Sequence, residues 1–258
     1  SLHERVDELV RERAGEGAVF AEPATDAEFL RRAYLDFDGG LPKPAEVRSF
    51  SADESRDKRG KLIDRLFASE RFPERMAELF DLHLMERRGP NEAWRGFLVD
   101  SFRRNAPWDE LAANVLNPAF TDETLRGAGY FITKRLTKVG QQPTDYPGLT
   151  RDVGRLFLGV DLQCAQCHKH LTVKDYRQVE FNGLFAAFQN LKLQRPNDAY
   201  KVDWVSENLM EKPFEFVSVF SEKRRGTGPK APFREAVEVP VYDGDYKWLG
   251  APARAKKE

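Results

Sequence analysis

Over the first two-thirds of the chain, apolar residues return every three to four positions, and each such run is bracketed by a capping residue or by Gly and Pro. No other feature restricts the fold as much, because a run of amphipathic helices must bury its stripes against one another. "TDAEFLRRAYLDF" opens on a capping-box pair, Thr25 and Glu28, and sets Phe29, Leu30 and Tyr34 near one face. Gly39, Gly40 and Pro42 in "DGGLPKP" end it, and Pro44 starts the short helix "PAEVRSF". "RVDELVRERA" reads as an amphipathic opener, and "RGKLIDRLFAS" aligns Leu62, Ile63, Leu66 and Phe67.

The helical pattern continues through "FPERMAELFDLHLMERR", which begins at Pro73 and stacks Met76, Leu79, Phe80, His83 and Leu84. That phase turns His83 toward the core. "NEAWRGFLVDSFRRN" and "PWDELAANVLN" are two further helices. Residues 118–147 are loop-rich with a short helix in the middle. "LTRDVGRLFLGVDLQCAQCH" returns to helix as far as His168, with Val153, Leu156, Phe157 and Val160 as its stripe, and "VEFNGLFAAFQNLKL" follows. After Leu193 the texture changes. "FEFVSVF" and "EAVEVPVYDG" cluster β-formers between Gly and Pro, whereas "EKRRGTGPKAPFR" reads as a solvated loop. The expected fold is mainly α, a multi-helical domain over 1–193, with a small antiparallel β element in a mixed extension over 194–258 that leads toward a further domain.

Composition narrows the function. The 258 residues hold 41 Lys and Arg against 42 Asp and Glu, a net charge of −1 that draws the chain to neither nucleic acid nor a membrane surface. No apolar run reaches the roughly 18–20 residues of a membrane span. "SLHERVDELV" lacks the apolar stretch of a signal peptide. Two cysteines, three positions apart, cannot form a disulfide framework.

Both cysteines and two of the four histidines fall within Cys164–His170. Cys164, Cys167 and His168 spell C-x-x-C-H, and on a helical turn positions i, i+3 and i+4 share one face. Two thiols so placed can bond the two vinyl groups of a haem while the adjacent imidazole meets the iron. Other uses remain open. Zinc could be held by Cys164, Cys167 and His168 or His170, with His83 completing the set; the pair could be a thiol–disulfide centre; or the thiols could be structural. Under the haem reading His168 is the proximal ligand and His83 the distal candidate. His170, two residues on, is turned about 200° from His168 on a rigid helix, which leaves it for a propionate or a second metal. Arg151 and Arg155 are candidates to pair with haem propionates.

These residues carry a resemblance. "RLFLGVDLQCAQCHKH" followed by "NGLFAAF" resembles the planctomycete cytochrome-like domain of unknown function, as do "FLRRAYLDFDGGLPKPAEVRSF", "LIDRLFASERFPERMAELFDL" and the closing "PVYDGDYKWLGAP". The likeness spans nearly the whole chain. Leu171, Thr172 and Val173 stand where the family commonly has a proline, an aromatic and an acidic residue, and "ELFDLHLMERR" stands where it often has an aromatic-rich segment. The resemblance implies a haem protein by motif, neighbouring an ordinary cytochrome c domain in its parent protein.

The expected function is therefore a c-type haem-binding electron-transfer domain of an exported protein, periplasmic or at the cell surface. Its expected partner is a redox protein or an adjacent cytochrome domain. The alternative of another class is a haem-free zinc-binding or structural interaction module. A haem peroxidase-like enzyme ranks third, because the sequence holds no catalytic constellation beyond the cluster.

Overall fold

The computed structural model describes residues 2–15, 17–210 and 212–239. Contacts divide the chain into two compact units, Ser1–Phe72 and Pro73–Glu258.

The first unit holds α1 (Leu2–Ala14), α2 (Asp26–Phe37), α3 (Pro44–Ala52) and α4 (Lys58–Phe67). The capping box forms as the sequence indicates: the Glu28 amide donates to Thr25 Oγ1 at 3.3 Å, and the Thr25 amide donates to Glu28 Oε2 at 2.9 Å. α2 packs on α3 and α4 through Leu30, Ala33, Tyr34, Phe50, Leu62 and Leu66. The Tyr34 hydroxyl, inside this cluster, donates to Glu46 at 2.5 Å. Burial first, and then that carboxylate, push its pKa up to about 12. The opener α1 is a helix that buries none of its residues, so its Leu2, Val6, Leu9 and Val10 stay exposed.

In the second unit, α5 (Arg71–Met85), α6 (Glu92–Arg103), α7 (Trp108–Leu116), α8 (Tyr130–Leu136), α9 (Tyr146–Leu158) and α10 (Gln178–Phe188) enclose the larger core. Trp94, Phe131, Leu98, Ile132, Leu149 and Val153 are its fully buried centre; a side chain of this size stabilises by roughly 1.5–3 kcal/mol when fully buried. Asn91 caps α6, as the "NEAW" start suggests, accepting from the Trp94 amide. A 3-10 turn, Arg126–Gly129, packs so tightly on α6 that a Cβ on Gly127 would stand 2.0 Å from the Ala93 carbonyl oxygen.

Two antiparallel ribbons follow. β1 (Leu191–Gln194) pairs with β2 (Trp204–Glu207), and β3 (Phe214–Ser218) pairs with β4 (Ser221–Thr227). The mainly helical fold with a small β element near the C-terminal end is as expected. Among the described residues no helix is long and apolar enough to cross a membrane.

Four local expectations need correction. The helix read through "NLKL" ends at Phe188, and Leu191–Gln194 is strand β1. "SEKRRGT" is strand β4, not loop: its register against "FEFVS" (Phe214 opposite Thr227, Val217 opposite Arg224) supplies the pairing that its charged sequence does not advertise. In "EAVEVPVYDG", Glu235–Val239 is not strand, and the remainder lies outside the described residues. The helix read through to His168 stops at Leu158. Gly159 adopts φ 65°, and its amide and that of Val160 both donate to the Gly154 carbonyl.

Candidate functional site

With α9 ended at Gly159, the next residues run down into the core. Val160, Leu162 and Ala165 are buried, Leu162 and Ala165 completely. Ala165 sits in a single helical turn, Cys164–Gln166. The amides of Cys167 and His168 both reach the Cys164 carbonyl, at 3.4 and 3.3 Å. The bond from His168 is the i to i−4 bond of an α-helical turn. Cys164, Cys167 and His168 thus lie on an isolated turn rather than on the end of α9. Since Ala165 points inward, the two cysteines point outward; both are exposed and free.

Three separate elements hold this turn. From α9, Arg151 Nη1 donates to Gln166 Oε1 at 2.6 Å. From the first turn of α10, the side-chain Nε2 of buried Gln178 donates to the Cys167 carbonyl at 3.2 Å and to the Val217 carbonyl at 3.0 Å. From the β3–β4 tip, the Val219 amide donates to the same Cys167 carbonyl at 3.2 Å. The Phe220 ring lies 5.4 Å from the His168 ring, and Val219 and Phe220 are 65 % and 78 % exposed, an apolar surface beside the imidazole.

The two histidines differ in what their Nδ1 atoms do. His168 Nδ1 lies 2.6 Å from the Lys169 carbonyl oxygen. A carbonyl only accepts, so Nδ1 carries a proton, and in the neutral ring Nε2 is then the atom with the free lone pair. His170 Nδ1 faces the amides of Thr172 and Val173 at 3.2 and 3.0 Å, so it accepts, and its ring packs edge-on against Tyr176 at 5.7 Å. His170 therefore organises the loop after the cluster.

The remaining candidates lie elsewhere. Arg155 is engaged with Glu86 at 2.7 Å and Asp152 at 3.3 Å, and the Glu86 hydrogen bond raises its pKa further. His83 is exposed, with Nδ1 2.7 Å from the Leu79 carbonyl oxygen, and does not face the core. α5 buries Pro73, Ala77, Leu84 and Met85; of the expected stripe, Leu84 is buried and Phe80 packs against the core, while His83 faces out. The helix carries apolar residues on most sides, so periodicity alone did not fix its rotation. Among the described residues no group of three or more His, Cys, Asp and Glu is arranged to hold a metal ion.

Sequence reasoning missed Gln178, Gln166 and Phe220, which brace and flank the turn. It also missed the buried pair Arg135–Asp152, which fixes α9 against α8 and the end of α5. Arg135 Nε donates to Asp152 at 2.8 Å and Nη2 to the Leu84 carbonyl at 2.7 Å. Glu180, fully buried on α10, receives Arg177, Lys230 and the Phe233 amide, each at 2.8 Å. Burial pushes its carboxyl pKa up, yet these donors outweigh burial and leave it lowered.

A family model described as "PSCyt2: Protein of unknown function (DUF1549)" matches residues 5–193, a span that includes the Cys164–His170 segment. No curated protein and no solved structure matches the chain.

Proposed function

We propose that this chain, which belongs to the PSCyt2 family of unknown function, is a c-type haem-binding electron-transfer domain of an exported protein. The observation that carries the reading is the pairing of two exposed free thiols with an imidazole whose Nδ1 is bonded to a carbonyl and whose Nε2 is left for a metal. All three come from one helical turn.

The residues suit haem better than zinc. Structural zinc needs four converging donors, and the described residues contain no such group. A haem held through C-x-x-C-H needs one metal ligand from the turn, His168. Each thiol would add its S–H across a vinyl double bond, sulfur to one carbon and hydrogen to the other, with no oxidant consumed. Phe220 and Val219 offer apolar surface for the macrocycle, and Arg151, bonded to Gln166 between the two cysteines, keeps the turn in place. Bound haem supplies one-electron exchange at its iron. Since thiols must be delivered reduced and outside the cytoplasm for this attachment, the reading carries a periplasmic or cell-surface location, and a redox protein or adjoining cytochrome domain as partner.

The test is expression in a periplasm together with haem-attachment machinery. A pyridine haemochrome spectrum of the bis-thioether type, a mass gain of one haem, and loss of both on Cys164→Ala/Cys167→Ala are the expected results. A colourless product with two titratable thiols, or stoichiometric zinc by elemental analysis, overturns the proposal.

A further inference from the structure

A second site lies at the other end of α10. A cavity of about 560 Å³ opens between the segment after α7, α8, the end of α10 and the β1–β2 ribbon. Its lining is mostly apolar, including the buried Phe120, Ile132, Phe188 and Leu191. Tyr200 and Trp204 also line it, with ring centroids 4.8 Å apart. Residues 178 and 188 are about 15 Å apart at 1.5 Å per residue, so the cavity is separate from the cysteine turn, which Gln178 braces.

One charged side chain lines this cavity, Glu207 of β2. Its carboxyl is half-buried and has no hydrogen-bond or ion-pair partner among the described residues. Burial alone pushes its pKa up to about 7. On the same strand, the indole N–H of Trp204 is buried without a partner. A structural carboxylate in such surroundings normally has a cation or an N–H donor, as Glu180 has in the same unit. Glu207 has neither, while the cavity it lines is mostly apolar and carries the rings of Tyr200 and Trp204. Concave apolar lining with few polar groups is the usual make-up of a small-molecule site, and an aromatic pair lining the same cavity as a carboxylate favours a cation through both charge and ring faces.

We propose that this cavity binds a small organic cation, an amine with an apolar or aromatic body, whose ammonium group pairs with Glu207 while its body lies against Tyr200 and Trp204. The carboxylate selects for charge, and the apolar lining selects for the body.

Isothermal titration of the full chain at pH 8 with 4-phenylbutylamine, 4-phenylbutan-1-ol and 4-phenylbutyrate tests this. The amine is expected to bind at least tenfold more tightly than the alcohol, and the acid not measurably. Glu207→Gln should bring the amine down to the level of the alcohol. The Cys164→Ala/Cys167→Ala chain should bind the amine like the wild type, which keeps this outcome separate from that of haem attachment. Equal affinity for amine and alcohol, absence of amine binding, or a folded Glu207→Gln chain that binds the amine unchanged overturns the proposal. Should Glu207→Gln fail to fold, the wild-type ratio of amine to alcohol decides alone.

Discussion

The guanidinium of Arg135 lies over the ring of Phe131, 3.7 Å from its centroid. That stacking, the Asp152 carboxylate, and the carbonyls of Leu84 and Phe131 surround a side chain only 2 % exposed. Burial pulls the Arg135 pKa down to about 10 against the opposing pull of Asp152. Asp152 is itself pushed up by burial, and is brought below its ordinary value by Arg135, Arg88 and Arg155. Replacing Asp152 by Ala leaves a buried cation without its counter-charge, so a loss of about 3–5 kcal/mol is expected in urea unfolding. A loss below 1 kcal/mol would show that the carbonyls suffice.

The same lowered carboxyls set the acid limit. Asp152 and Glu180 have folded-state pKa values below their ordinary ones. The stability they contribute is present above the unfolded values near 4 and is lost as pH falls through the folded values. Wild-type melting temperature should therefore drop steeply below about pH 4, and Glu180→Gln should flatten part of that drop.

Glu207 runs the other way. Its pKa, raised to about 7, means that folding holds the proton more tightly than the unfolded chain does. Its stabilising share is full below about pH 4.5 and disappears as pH rises through 7. Without ligand, Glu207→Gln should match the wild type near pH 5 and exceed it at pH 8 by on the order of 2 kcal/mol. Parallel melting curves at the two pH values would contradict this.

Gly127 is the backbone contact that lets the Arg126–Gly129 turn close on α6. A methyl group there meets the Ala93 carbonyl carbon at 2.5 Å as well as its oxygen, and neither can move without moving α6. Gly127→Ala should cost about 3 kcal/mol, read as a lower urea midpoint. Gly60→Ala, where a Cβ meets nothing within 4 Å, is the neutral or mildly stabilising control.

The thiols offer a count. In the chain without attached haem, both exposed cysteines should react with a thiol reagent without denaturant; in the haem-loaded chain neither should. Gln178→Met removes a buried donor from the Cys167 and Val217 carbonyls. It should cost about 1–3 kcal/mol and lower haem loading while leaving the thiol count at two.

Local signals carried much of this fold into the sequence. Thr25 with Glu28, Asn91 and Pro44 mark helix starts that the backbone honours, because caps act within one turn. A helical turn at Cys164–His168 was also legible, since it needs only local hydrogen bonds. What depends on distant partners was not. The rotation of α5, and with it the exposure of His83, is set by packing around Ala77 and Met85. β4 exists because β3 is there to pair with it. The apolar residues after Gly159 read as continued helix, whereas α9 ends there and Leu162 and Ala165 anchor a separate turn.

That anchoring has a consequence for dissecting the chain. A fragment cut after Leu193 would retain every sulfur and imidazole of the motif. It would forfeit Val219, which reaches the Cys167 carbonyl, and Val217, the other acceptor of Gln178. The reactive letters and part of the scaffold that presents them are written on opposite sides of that cut, so a truncated product that stays colourless would not separate a missing brace from a missing chemistry.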